Sequence, residues 1–108
     1  MEIRYRLEEF IDAIINKAAP PEPIYRIEYW LAKIAGAEVE TPEPVYRVEL
    51  FLAKIAETDV EIPEPKYRVE YYLAALAGED VEIPEPIYYI EHLLMRWIDS
   101  KGKNDSLV

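Results

Sequence analysis

Between Ile24 and Ala35 the apolar residues Ile24, Ile27, Leu31 and Ile34 recur at intervals of three and four, with no Gly or Pro among them. That spacing keeps one face of a helix apolar and predicts about three helical turns. The positions that follow read differently. Val39-Glu40-Thr41 alternates and runs into Pro42, and a residue before proline is pushed to extended backbone. Gly36, between the two patterns, suits the left-handed residue that closes a helix. The same phrase recurs: Val60-Glu61-Ile62 and Val81-Glu82-Ile83 alternate before a proline, and Gly78 and Asn16 hold the stop position. Glu57 holds it in the third unit and is expected to be the weakest stop. Side chains such as Val60 and Ile62 are expected to point inward.

Aligning the chain on itself gives the period. Pro-Glu-Pro recurs at Pro21, Pro42, Pro63 and Pro84, a step of 21 residues, followed each time by Tyr25-Arg26-Ile27-Glu28, Tyr46-Arg47-Val48-Glu49, Tyr67-Arg68-Val69-Glu70 and Tyr88-Tyr89-Ile90-Glu91. Tyr5-Arg6-Leu7-Glu8 is an earlier copy, 20 residues before Tyr25. The reading is therefore one array over residues 1–98, with units of about 1–20, 21–41, 42–62, 63–83 and 84–98, and a polar tail over 99–108. The last unit replaces its Arg by Tyr89, as atypical end units do in repeat arrays.

Lengths limit what the units can build. Twelve helical residues span about 18 Å, and a nine-residue extended linker covers about 28 Å. A linker can thus run back along its helix, which allows consecutive helices to point the same way, side by side or stepping along an axis. Helical hairpins are the alternative, although about two to eight linker residues usually suffice for those. On a helical wheel Trp30, Ile34, Ile27, Leu31, Ile24 and Ala35 form one apolar arc and Tyr25, Tyr29 and Ala32 a second, leaving only Arg26 and Lys33 clearly polar. That is more apolar surface than one layer of neighbours covers: either the array coils on itself or another chain covers the rest. Trp30, Phe51 and Tyr72, large aromatics at equivalent sites, fit packing rather than a ligand-stacking platform. The apolar last helix, with Ile90, Leu93, Leu94, Trp97 and Ile98, points to assembly.

Glu28, Glu49, Glu70 and Glu91 fall between the two arcs, where a carboxylate must be paired or hydrogen-bonded. One reading makes each the third residue of its helix, reaching back to a free N–H such as that of Tyr25, with Ile24 and Tyr29 as a hydrophobic staple. The other pairs it with an Arg of the next unit or of another chain. One inward Glu per unit and no His offer little to a metal.

Composition narrows the function classes. Among 108 residues, 22 Asp and Glu against 12 Lys and Arg give a net charge of −10, which repels nucleic acid and anionic lipid. There is no cysteine, which excludes disulfides and thiolate chemistry. Charges begin at the second residue and no apolar run approaches the ~18 residues of a membrane span, so a soluble chain made in the cytoplasm is expected. Three glycines provide no phosphate-cradling loop. His92, the single histidine, stands where other units have Tyr29, Leu50 and Tyr71 and reads as a packing substitution, not a base. Ser106-Leu107-Val108 matches an ending read by strand-addition peptide domains, but a frayed tail is the simpler reading. No catalytic residue, cofactor or metal is expected.

The units "PEPIYRIEYWLAKIAGAEVE" and "PEPKYRVEYYLAALAGEDVE" resemble the repeat of head-fibre and related virion proteins of tailed phages that infect Firmicutes, over nearly the whole chain from Tyr5 to Ile98. The match lies in Arg26, Glu28, Leu31 and Gly36 with their equivalents. The family usually has Ser or Thr where this chain has Tyr5, Tyr25, Tyr46, Tyr67 and Tyr88, so the hydroxyl of a full capping box is missing, a loss of about 1 kcal/mol per helix. The resemblance implies short helices joined by extended linkers in a multi-chain, trimeric fibre on a virion surface. The expectation is thus an all-α chain of tandem 21-residue repeats, each one short helix plus an extended Pro-rich linker, in an elongated oligomeric superhelical assembly. Its role is structural and non-enzymatic, and its partner is itself, trimer before dimer, with a virion or cell-surface protein as a further partner. The assembly residues are Tyr25, Arg26, Glu28 and Leu31 with Tyr46, Arg47, Glu49, Leu52, Tyr67, Arg68, Glu70, Leu73, Tyr88, Glu91 and Leu94, joined by Trp30 and Trp97. The alternatives are a monomeric α-solenoid that binds a protein, or a designed helical-repeat scaffold.

Overall fold

The computed structural model describes residues 6–106, with side chains as far as Lys101. Five α-helices follow one another: α1 (Arg6–Asn16), α2 (Arg26–Ile34), α3 (Arg47–Ile55), α4 (Arg68–Leu76) and α5 (Tyr89–Ser106). The segments between them carry no regular secondary structure. No helix among the described residues is long and apolar enough to cross a membrane. The three middle helices have nine residues each, shorter than the predicted stretch from Ile24 to Ala35. Tyr25, Tyr46 and Tyr67 stand just outside them in extended backbone, so the residues before each helix belong to the linker.

All five helices run parallel. Arg26, the first residue of α2, bonds Glu49 in the first turn of α3, and the same pairing joins the N-terminal ends of each successive pair from α1 to α5. Each linker therefore carries the chain back the length of a helix, as its reach allows. Val39, Val60 and Val81, with Ile62 and Ile83, pack partly buried against the core, so the inward side of each linker is the apolar one.

Each helix packs on the next, and α5 packs on α1. The array closes into a ring within one chain. It measures 33 × 31 × 30 Å with a radius of gyration of 13.3 Å, the value of about 13 Å expected for one compact domain of this length. The chain is therefore not elongated. Helices that turn by a constant angle about a common axis meet again instead of stepping along it, and of the two ways to cover the surplus apolar surface the array takes the first, coiling on itself.

Closure gives the two arcs different jobs. One lines the ring's axis in layers: Leu7, Ile27, Val48, Val69 and Ile90 nearest the N-terminal ends, then Ile11, Leu31, Leu52, Leu73 and Leu94, 0–4 % exposed. Trp97 closes the series nearly a turn further along α5. Phe10, Trp30, Phe51, Tyr72 and Leu93 are buried at a second equivalent site on the five helices. Leu93, Leu94 and Trp97 are thus covered by their own chain, which removes the argument for assembly from an apolar last helix. His92 is exposed, not packed.

The stops follow a common design. Gly36 and Gly78 adopt φ of +101° and +96°, and the N–H after each glycine returns to a carbonyl of the last turn, Ala37 to Ala32 and Glu79 to Ala74, at 3.0 Å. Glu57 takes the same left-handed conformation at +69°, with Thr58 N–H on Ala53 C=O. In the first unit the left-handed residue is Lys17, at +56°, one position later than the expected Asn16, because α1 runs through Asn16. The last helix continues past Ile98 to Ser106, and Lys101 Nζ donates to the Leu76 carbonyl at 3.0 Å, satisfying an orphan acceptor at the end of α4. Leu107 and Val108 lie outside the described residues, as does Tyr5.

Candidate functional site

A polar construction with a buried glutamate at its centre is repeated at the four junctions from α1 to α5. Glu49 is 2 % exposed. Its Oε2 accepts Arg26 Nε at 2.6 Å and its Oε1 accepts Arg26 Nη2 at 2.9 Å. The same Oε1 also accepts the N–H groups of Val45 at 2.7 Å and Tyr46 at 3.1 Å, and Arg26 Nη2 reaches the Glu43 carbonyl in the Pro-Glu-Pro segment at 2.8 Å. Arg6–Glu28, Arg47–Glu70 and Arg68–Glu91 repeat the arrangement with every partner in place.

The carboxylate caps its own helix, as the first reading has it, and also anchors an arginine, though not the one that the second reading named. The arginine comes from the preceding unit of the same chain, not from the next unit or from another chain. Ile24, of the expected staple, is 62 % exposed and lines an open outer groove together with Tyr29. No Tyr side chain caps a helix; the N–H of Glu28 goes to the Tyr25 carbonyl at 2.9 Å.

The electrostatics follow from these bonds. The paired Arg hydrogen bonds hold Glu28, Glu49, Glu70 and Glu91 at about 2, far below the usual 4.5; burial opposes this and the two backbone N–H donors reinforce it. A two-pronged guanidinium fixes direction as well as distance, so each junction sets the register of two helices. The guanidinium groups of Arg26, Arg47 and Arg68 also lie 5.7–5.8 Å from the ring centres of Tyr46, Tyr67 and Tyr88. The tyrosine that replaces the capping hydroxyl is therefore a platform for the neighbouring unit's arginine. These tyrosines keep one face in solvent.

The fifth junction closes the ring with different residues. Tyr89, in the arginine position, donates its hydroxyl to Glu8 Oε1 at 2.6 Å, and Arg96 Nη2 donates to Asp12 Oδ1 at 2.7 Å. Tyr89, expected as the mark of an atypical end unit, occupies the motif's place at the seam. Glu8, Asp12 and Arg96 are the functional residues that the repeat pattern missed. Their signal was the match of Glu8 to Glu28 together with a missing arginine four units later.

The remaining assembly residues divide by depth. Leu31, Leu52, Leu73 and Leu94 face the axis, and Trp97 ends it. Trp30 is 1 % exposed and its indole Nε1 has no hydrogen-bond acceptor, whereas Tyr72 at the equivalent site donates to the Pro84 carbonyl at 2.6 Å. Among the described residues no three His, Asp or Glu side chains group as metal ligands. What the junctions do chemically is hold: each guanidinium grips a buried carboxylate and a linker carbonyl, and each carboxylate also accepts two backbone N–H groups. No family model matches the chain, nor does any curated protein or solved structure.

Proposed function

We propose that the chain is a structural, non-enzymatic module: a self-closed ring of five parallel helices that presents linkers and helix ends on a rigid frame. The observation that carries this is the seam, where α5 meets α1 through Tyr89–Glu8 in the register that Arg–Glu pairs give the other four junctions. A ring closed in that way has no outer helix face left for a capping unit, which is what an open array needs. The test is absolute mass by light scattering across a concentration series. A constant 12.6 kDa is the expected result; a concentration-independent trimer overturns it.

A second reading, assembly with further copies of the chain, has one observation in its favour. Ile24, Val45 and Ile87 are 62–67 % exposed just before their helices, and Tyr25, Tyr46, Tyr67 and Tyr88 beside them are 57–62 % exposed. Assembly by this route joins the N-terminal ends of closed rings, a different surface from the helix faces expected of a fibre. The virion placement implied by the head-fibre resemblance goes with this reading, and the same mass measurement separates the two.

A further inference from the structure

Packed helices stand about 8–10 Å apart, so five in a closed ring lie about 8 Å from their common axis. A helix with its side chains is about 5–6 Å in radius, which leaves an axial bore of about 2–3 Å radius. The ring contains this feature as a cavity of about 50 Å³. All five helices contribute to its wall, and every contributing side chain is apolar. Exposure drops along the axis: in the outer layer Ile90 is 37 % exposed and Leu7, Ile27, Val48 and Val69 are half-buried, whereas Leu31, Leu52 and Trp97 are 2–3 % exposed. The bore therefore opens at the N-terminal ends and is blind at the other. Trp97 makes the floor where the equivalent position on α4 is Leu76, whose side chain does not reach the axis.

We infer that this bore is a binding site for a slender apolar ligand, the end of a linear alkyl chain, entering between Leu7 and Ile90 and stopping at Trp97. Width selects the class. A methylene is about 2 Å in radius and fits, whereas an aromatic or alicyclic ring needs a cavity nearer the about 150 Å³ that holds benzene in a Leu- and Ile-lined core. Chemistry selects it too, because a wall without a polar atom offers water none of the two to four partners it requires. The site is independent of whether the ring is alone or assembled, unless a second copy covers its mouth.

The test uses the whole chain with labelled Leu and Val methyl groups, titrated in NMR with xenon and then with 1-pentanol and cyclohexanol. Saturable shifts are expected at Leu31, Leu52 and Leu73 and not at the linker residues Val39 and Val60, for xenon and pentanol but not for cyclohexanol. Leu52→Phe fills the bore and should abolish the shifts. Trp97→Leu deepens it and should tighten pentanol at least severalfold, which keeps the test decisive where the Phe variant does not fold. Shifts that do not saturate, that spread over the surface, or that cyclohexanol produces equally overturn the site, as does the absence of any shift with xenon.

Discussion

The hydroxyl of Tyr89 donates to Glu8 across 81 residues of sequence. At every other junction an arginine stands in the place of Tyr89 and grips its glutamate with two bonds. The seam is thus the same joint with a neutral donor in the arginine's place, accompanied by the Arg96–Asp12 pair.

Restoring the motif should strengthen it. Tyr89→Arg is expected to raise stability by about 0.5–1 kcal/mol, the upper range for a partly exposed ion pair, read as a higher denaturation midpoint. Glu8→Gln in the same background should remove the gain. A gain that persists without Glu8 would mean that the arginine acts elsewhere.

The register of the junctions makes a pairwise claim. Glu49→Ala leaves Arg26 and the N–H groups of Val45 and Tyr46 without their acceptor and should cost about 2–3 kcal/mol, somewhat less than breaking a fully buried pair because the arginine is half exposed. A double-mutant cycle should show coupling of about 1 kcal/mol or more between Glu49 and Arg26 and none between Glu49 and Arg47, whose partner is Glu70. The reverse pattern would contradict the chain trace from unit to unit.

Acid should open the ring. Glu28, Glu49, Glu70 and Glu91 sit at about 2 in the folded chain against 4.5 when free, so below 4.5 the unfolded chain binds more protons. The stability they contribute is complete above the free value and is lost as pH falls through that window toward 2, at up to about 1.4 kcal/mol per pH unit for each glutamate. Thermal melts should be insensitive to pH near neutrality and fall steeply in that window. Glu49→Gln should lower stability at neutral pH and flatten the fall. A melting temperature that holds steady down to the folded-state value would contradict the buried pairs.

At the helix ends, Glu57 holds a left-handed conformation that glycine holds in α2 and α4. Glu57→Gly should stabilise by about 1 kcal/mol, since it removes the contact between Cβ and the following carbonyl. Guanidinium denaturation would report this as a higher midpoint at unchanged slope.

How far such features could be read from the residues depended on whether they were local. The 3-4 spacing from Ile27 to Ile34, the Gly36 and Gly78 stops and the extended run to Pro42 depend on neighbours in sequence, and helices and linkers follow them. That linkers such as Val39 to Pro44 can return the chain to a parallel start was permitted by their reach, which left hairpins open as well. Closure did not. A 21-residue period sets a constant step but not the angle of that step, which depends on how buried side chains such as Phe10, Trp30, Phe51 and Tyr72 pack in the shared core. Whether five steps complete a turn is therefore invisible in any single unit. The residues that complete it, Glu8, Asp12, Tyr89 and Arg96, depart from the repeat or pair across its ends, and a search for regularity discounts them. The partner of each glutamate was left open for the same reason, because Arg26 and Arg47 are equivalent by pattern and only the direction of packing tells them apart.

The central claim is that one chain closes on itself. Small-angle X-ray scattering from a sized monodisperse sample gives mass and dimension together. The account predicts 12.6 kDa and a radius of gyration close to 13.3 Å, with slightly more for hydration. A radius well above that value at the mass of one chain would mean that α5 does not meet α1 within the chain; a mass at a multiple of 12.6 kDa would contradict the single-chain module.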